Sequence, residues 1–210
     1  MILKEIIRER RSAKSFILDK AIAQDKLSEI FESATLAPSG FNLQPWRFIT
    51  VQSLSNKEKL YSCAFKQEQI RQASAVLICC GDRHVFSPEY IESVLELGKS
   101  SGSMNEKHAD FLRGAIPTFA KFHPSYDSIE AWTNRQVMIA VTQMMLTAKS
   151  IGIDSCSMEG FVSKAIKENF DIPEHWDICC LLALGYSANE RKFGGRFGVK
   201  ELFYQESYPQ

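Results

Sequence analysis

The chain has 210 residues, 45% of them hydrophobic, and 25 Lys plus Arg balance 25 Asp plus Glu, so its formal net charge is zero. That profile fits one soluble globular domain over 1–210 and excludes a disordered chain, and the balanced charge offers no bulk attraction to nucleic acid or an anionic membrane. The amino terminus has charges at Lys4 and Glu5, unlike a signal peptide, and the most apolar run, Val137–Ala148, is too short to span a bilayer, so a cytoplasmic location is expected.

Ile2, Leu3, Ile6 and Ile7 follow helical spacing and predict an amphipathic helix to about Arg10. It runs into Arg10-Arg11-Ser12-Ala13-Lys14. Cations there either meet the helix dipole or clamp a phosphate, arginine as a planar fork and lysine as a point charge. A second helix, capped near Asp25, follows from Leu27, Ile30, Phe31, Ala34 and Leu36, and Pro38 stops it. Next comes Ala37-Pro38-Ser39-Gly40-Phe41-Asn42-Leu43-Gln44-Pro45-Trp46. Read as extended, it turns the amides of Asn42 and Gln44 to one side and its apolar residues to the other. Primary amides donate and accept, which suits a heterocycle edge of alternating carbonyl and N–H groups. The alternative is a plain helix-to-strand connection.

Arg47–Gln52 alternates as a strand. Ser55–Cys63 reads as a helix with Lys57, Glu58 and Lys59 outward, and a shorter one near Lys66–Ala73 offers Lys66, Gln67 and Gln69. Ala75–Cys80 is apolar throughout, as in a central strand covered on both faces. Tyr90–Leu97 predicts a helix, Gly98–Gly102 a break, and Met104–Leu112 its resumption, ending at Gly114 or before Pro117. Phe111, Phe119 and Phe122 form either an aromatic wall or ordinary core. Ser128 starts a long helix to about Ser150, stopped by Gly152 and buried in its apolar second half. Asp154–Met158 reads as a strand, followed by Glu159-Gly160-Phe161, a helix over Ser163–Phe170 and a buried strand over Asp177–Tyr186. A basic tail, Arg191–Arg196, precedes a last short strand at Val199–Tyr204. Strands alternating with helices indicate mixed α/β layers.

The six cysteines include the adjacent pairs Cys79-Cys80 and Cys179-Cys180, in apolar runs where strand neighbours point to opposite faces. Neither has Cys-x-x-Cys spacing, so both read as small core residues. His84, His108, His123 and His175 show no ligand spacing, and no metal site is expected. Dinucleotide-binding, phosphate-loop and serine-nucleophile glycine motifs are absent. A cationic cluster, an amide loop and a basic tail remain. Together they suit a ligand with a phosphate and a polar heterocycle, the profile of flavin mononucleotide (FMN).

Five blocks then carry a resemblance: Arg10-Arg11-Ser12-Ala13-Lys14-Ser15-Phe16, Ala37–Trp46, Phe65-Lys66-Gln67-Glu68-Gln69-Ile70, Met158-Glu159-Gly160-Phe161, and Leu184-Gly185-Tyr186 followed by Arg196. In this order they resemble the nitroreductase family of FMN-dependent NAD(P)H oxidoreductases, in its branch of small bacterial enzymes. The resemblance implies an α+β three-layer sandwich with a central, mostly antiparallel sheet flanked by helices. It also implies a homodimer with FMN at the interface and C-terminal segments exchanged between subunits. By the family pattern Arg10, Arg11, Ser12, Lys14 and Arg196 hold phosphate, ribityl chain and ring edge. Pro38, Ser39, Asn42 and Gln44 line the neighbouring subunit's flavin, Lys66 and Gln69 reach its ring, and Met158, Glu159 and Gly160 lie beside its reactive edge. Gly40 stands where serine is frequent, Lys66 replaces a more usual asparagine, and Gly194 and Gly195 offer no cation before Arg196.

The implied reaction passes reducing equivalents from NAD(P)H by a ping-pong mechanism to nitroaromatic, quinone or related small-molecule acceptors. No protein acid, base or nucleophile is required; Lys14 and Glu159 are the ionisable neighbours of the flavin. The alternatives are a flavin-storing or regulatory protein with little turnover, or another FMN chemistry such as reductive dehalogenation.

Overall fold

The computed structural model describes residues 2–122 and 128–207. Its centre is a four-stranded antiparallel sheet of β1 (Trp46–Val51), β2 (Ala75–Asp82), β3 (Asp154–Met158) and β4 (Trp176–Gly185), ordered β1-β2-β4-β3. The two uninterrupted apolar strands, β2 and β4, take the middle, because only a central strand buries both faces. On one face Val76, Ile78, Leu181 and Ala183 pack on Leu60 of α3 (Leu54–Cys63), Ile70 of α4 (Glu68–Gln72) and Ile166 of α8 (Ser163–Asn169). On the other, Leu77, Leu182 and Leu184 pack on α2 (Gln24–Thr35) and α7 (Ile129–Ser150). The three layers of the expected α+β sandwich are present. Among the described residues no helix is long and apolar enough to cross a membrane.

A third cluster sits beyond the sheet, where α5 (Pro88–Ser100) and α6 (Glu106–Phe122) close over Trp132 and Leu43. The expected break separates the two helices but falls a few residues later, and the expected end of the second helix at Gly114 or Pro117 does not occur. α5 continues through Gly98, against which the Met104 side chain packs, and α6 continues through Gly114 and Pro117. Tertiary packing of their apolar faces outweighs the local penalties for glycine and proline. Phe119 joins Phe41, Phe86 and Trp132 in this cluster, whereas Phe111 and Phe122 are exposed.

Two further expectations fail. Lys57 is buried at 7% exposure, and its Nζ donates to the Ala73 carbonyl; burial pushes its pKa down. Val199–Leu202 is a single helical turn, α9, instead of a strand, and it pairs with neither edge of the sheet. The cysteines are core residues, as their apolar surroundings predict. In β2, Cys79 and Cys80 face opposite sides of the sheet. In β4 they do not: the register moves from Cys79↔Cys180 to Cys80↔Ile178, so Cys179 is an extra, bulged residue on the same side as Cys180. His123 lies outside the described residues.

Candidate flavin-binding site

Arginines from opposite ends of the chain meet at one cleft. α1 (Leu3–Glu9) stops at Arg10, where the backbone turns extended. The chain then runs beside β3: Ser12 bridges Ser155 in parallel, and Ala13 N donates to Ser155 O at 3.0 Å. This leaves Arg10 and Arg11 facing a cleft of about 790 Å³ that Arg8, Thr142, Phe193 and Arg196 also line. The Phe193 ring centre is 4.8 Å from the Arg11 guanidinium and 5.6 Å from that of its tail neighbour Arg196, so the cation–π contact with Arg11 ties the tail to the cleft.

Among the described residues, the ion pairs engage Arg47, Arg71, Arg83, Lys99, Arg113, Lys149, Lys164 and Lys167, and leave Arg8, Arg10, Arg11 and Arg196 without a carboxylate. Arg11 Nη1 spends its hydrogen bonds on the carbonyls of Arg8 and Arg10, while its buried Nε has no partner. Convergent, uncompensated cations repel one another, and a bound dianion reverses that cost. The donor set fits a phosphate group.

From this cleft β3 leads to the second part of the site. Lys14 is exposed beside β3, where its charge opposes the rise that burial imposes on the Cys156 thiol. Met158 is buried at the end of the strand, Glu159 is exposed, and Gly160 is half-buried. Strand rise is about 3.3 Å per residue, so Ser155 to Met158 spans roughly 10 Å, and Glu159 and Gly160 continue from its end.

Gly160 is held from the side by a residue that the family pattern does not single out. Gln67 Nε2 donates to Gly160 O at 2.7 Å and to Ala64 O at 3.2 Å. A Cβ on Gly160 would stand 3.3 Å from that nitrogen and 3.4 Å from the Phe65 ring, so the close approach favours glycine. Phe65 and Lys66 adopt left-handed backbone (φ 48° and 56°), which turns the chain and delivers Gln67. Lys66 itself is exposed, and Gln69 is half-buried in α4. Nothing in the sequence marks this turn, since neither residue is glycine or asparagine.

The amide loop departs most from expectation. It is not extended: Gly40–Asn42 form a 3-10 turn, and Phe41, Asn42 and Gln44 all have positive φ (54°, 55° and 45°). Apolar anchors decide this, because Leu43 is fully buried in the third cluster and Trp46 begins β1. Gly40 packs on the Trp132 indole, where a Cβ would come within 3.0 Å, which accounts for glycine at this place. Ser39 Oγ accepts from Gln44 N at 2.9 Å, and Gly40 N donates to Gln136 Oε1 at 3.0 Å.

Arg47, which the family pattern also passes over, braces the loop. Its Nη1 donates to Gln44 O (3.2 Å) and Trp46 O (2.9 Å), and its Nη2 pairs with buried Asp82 at 2.9 Å. Asp82 N in turn donates to Pro45 O at 2.8 Å.

Within one chain the amides of Asn42 and Gln44 do not reach the arginine cleft. Pro38 lines a separate hollow of about 500 Å³ along α7, and Thr142 borders both.

Comparisons with known proteins bear on the family and the fold. A model described as the nitroreductase family matches residues 7–186. The oxygen-insensitive NADPH nitroreductase of Helicobacter pylori is 31% identical over 193 residues, covering 87% of this chain and 86% of that protein. A nitroreductase-like protein from Streptococcus mutans superposes with a TM-score of 0.88 at 25% identity, over 97% of this chain and 98% of the other. A structure from Exiguobacterium sibiricum in complex with FMN has a TM-score of 0.85 at 24% identity over 98% of both chains, a likeness of fold.

Proposed function

This chain belongs to the nitroreductase family, and on that premise we propose that it is an FMN-dependent NAD(P)H oxidoreductase working as a homodimer. Bound in the cleft, FMN would supply two-electron exchange between NAD(P)H and an oxidised acceptor such as a nitroaromatic or quinone, in ping-pong order. The observation that carries the reading is the convergence of Arg10, Arg11 and Arg196 without carboxylate partners.

Each residue then has a physical role. Arg10 and Arg196 hold the phosphate through charge-assisted hydrogen bonds. Ser12 and Lys14 follow β3 toward the ring, where the Lys14 ammonium favours negative charge on the pyrimidine edge. With Gln67 holding its carbonyl, Gly160 would offer its backbone N–H to the ring. Pro38, Ser39, Asn42 and Gln44, which do not line their own chain's arginine cleft, serve the partner's flavin; Arg47 keeps that loop in shape. Lys66, Gln69, Met158 and Glu159 border the ring. The tail beyond Arg196, exposed along its described length, crosses to the partner.

The test is the absorption spectrum of the purified protein before and after anaerobic NADH or NADPH. A flavin band that bleaches, then recovers when a quinone or nitroaromatic is added, is the expected result. A colourless protein that takes up no added FMN removes the cofactor, and bleaching without recovery favours flavin storage. Arg10→Ala and Arg196→Ala should each weaken FMN binding about 10- to 100-fold, the worth of a charged hydrogen bond, with little change in unfolding. Unchanged affinity removes that arginine from the phosphate site.

A further inference from the structure

At the far end of the β2–β4 ladder three metal-ligating side chains meet that sequence spacing kept apart. Asp82 is the last residue of β2, His84 lies in the 3-10 turn that follows (Arg83–Phe86), and His175 immediately precedes β4. The bulge at Cys179 sets this register, pairing Asp82 with Trp176, and Arg83 N extends the ladder by donating to His175 O at 2.9 Å. One donor atom from each of Asp82, His84 and His175 lies within 4.8 Å of the others.

We propose that Asp82, His84 and His175 bind a divalent transition-metal ion of the Zn²⁺ class. A buried carboxylate with two imidazoles is a donor set for such an ion, whereas Ca²⁺ and Mg²⁺ require oxygen-rich shells. Tetrahedral coordination with bonds near 2.0 Å puts donors about 3.4 Å apart. His175 Nε2 is already 3.8 Å from Asp82 Oδ1. The carboxylate is already oriented, with Oδ2 held by Arg47 at 2.9 Å and Oδ1 left toward the imidazoles; outer-shell partners of this kind fix a ligand's direction. Oδ1 also accepts the His84 backbone N–H at 2.9 Å, which ties the turn to the site.

One rearrangement is needed. The two imidazoles are stacked, 3.5 Å apart and 7° from parallel, and a metal must lie in the plane of each ring it joins. His84 is exposed and free of core packing, so rotation of its side chain exchanges the stack for coordination while His175 and Asp82 stay in place. The neighbouring cations do not oppose the ion with free charge: Arg83 pairs with Asp177 at 3.0 Å, and Lys167 with Glu174 at 3.4 Å. Three protein donors leave a fourth position to water.

The proposal does not depend on the flavin reading and is tested on the whole protein as purified, after treatment with a chelator. Titration calorimetry with Zn²⁺ should give one saturable equivalent per chain. Co²⁺ should develop the visible absorption of a tetrahedral nitrogen–oxygen site. His84→Ala and His175→Ala should each weaken Zn²⁺ binding at least about tenfold and abolish the Zn²⁺-dependent rise in melting temperature. His84, being exposed, gives a variant that folds and decides the matter even if His175→Ala does not. Absence of stoichiometric binding, or Zn²⁺ affinity unchanged in His84→Ala, overturns the site.

Discussion

The amide loop and the C-terminal tail are both irregular, yet the fold treats them in opposite ways. The loop at Ala37–Trp46 is held from within its own chain: Leu43 fills the third cluster, Ser39 and Gln136 take its backbone N–H groups, and Arg47 ties Gln44 O to Asp82. Three strained, left-handed residues persist there because those contacts over-determine them. The tail is the reverse. Phe197 and Phe203 are each 72% exposed, and Val199, Leu202 and Tyr204 are exposed beside them. Its backbone is irregular apart from one helical turn, and Phe193 and Arg196 line the arginine cleft. Burying such side chains is worth about 1.5–3 kcal/mol each, on the order of 10 kcal/mol for the group. A single chain leaves that energy unused. The contrast separates a segment fixed by its own chain from one that its own chain leaves uncovered, the segment that the proposed homodimer would bury.

The strongest way to break this contrast is to end the chain after Ala188. That change removes Phe193, Arg196 and the apolar arm. The shortened protein should sediment as a monomer and lose at least about 100-fold in FMN affinity, since phosphate contacts and subunit association vanish together. A shortened protein that remains a dimer with full flavin content would refute the division.

Arg47→Met probes the loop side. Asp82 would keep its burial without its cation, and urea unfolding should show a loss of about 2–3 kcal/mol. This is below the 3–5 kcal/mol of a fully buried pair because the Arg47 side chain retains 26% exposure. Unchanged stability would mean that the loop is not braced by this ion pair. A milder test is Gly40→Ser, in which the new Cβ meets the Trp132 ring at 3.0 Å. The cost should be about 1 kcal/mol in thermal or urea unfolding, as for modest overpacking. A more stable variant would show that Trp132 yields freely and that the loop is looser than its contacts indicate.

How much is legible in the chain varies with the range of the interaction. β2 and β4 announce themselves by unbroken apolar runs, and α2 and α7 by helical spacing, because burial is periodic along one element. The arginines at Arg10, Arg11 and Arg196 can be named as phosphate ligands from residue type and family pattern. Gln67 and Arg47 cannot: each matters through a carbonyl it holds, at Gly160 or Gln44, and a carbonyl carries no side-chain signature. Lys57 reads as outward for a related reason, since only the packed structure puts the Ala73 carbonyl where a buried ammonium can reach it.

What the sequence determined by itself was local: which segments bury one face, which bury two, and where charge gathers. Tertiary structure decided the rest. Leu43 and Trp46, by burying themselves, curled a loop that alternation alone would have extended. One bulged residue, Cys179, set the ladder so that Asp82, His84 and His175 met at its end. Neither outcome has a sequence spacing, because strand register joins residues nearly a hundred positions apart. That register is fixed by the sum of many cross-strand contacts, so no single local preference reveals it.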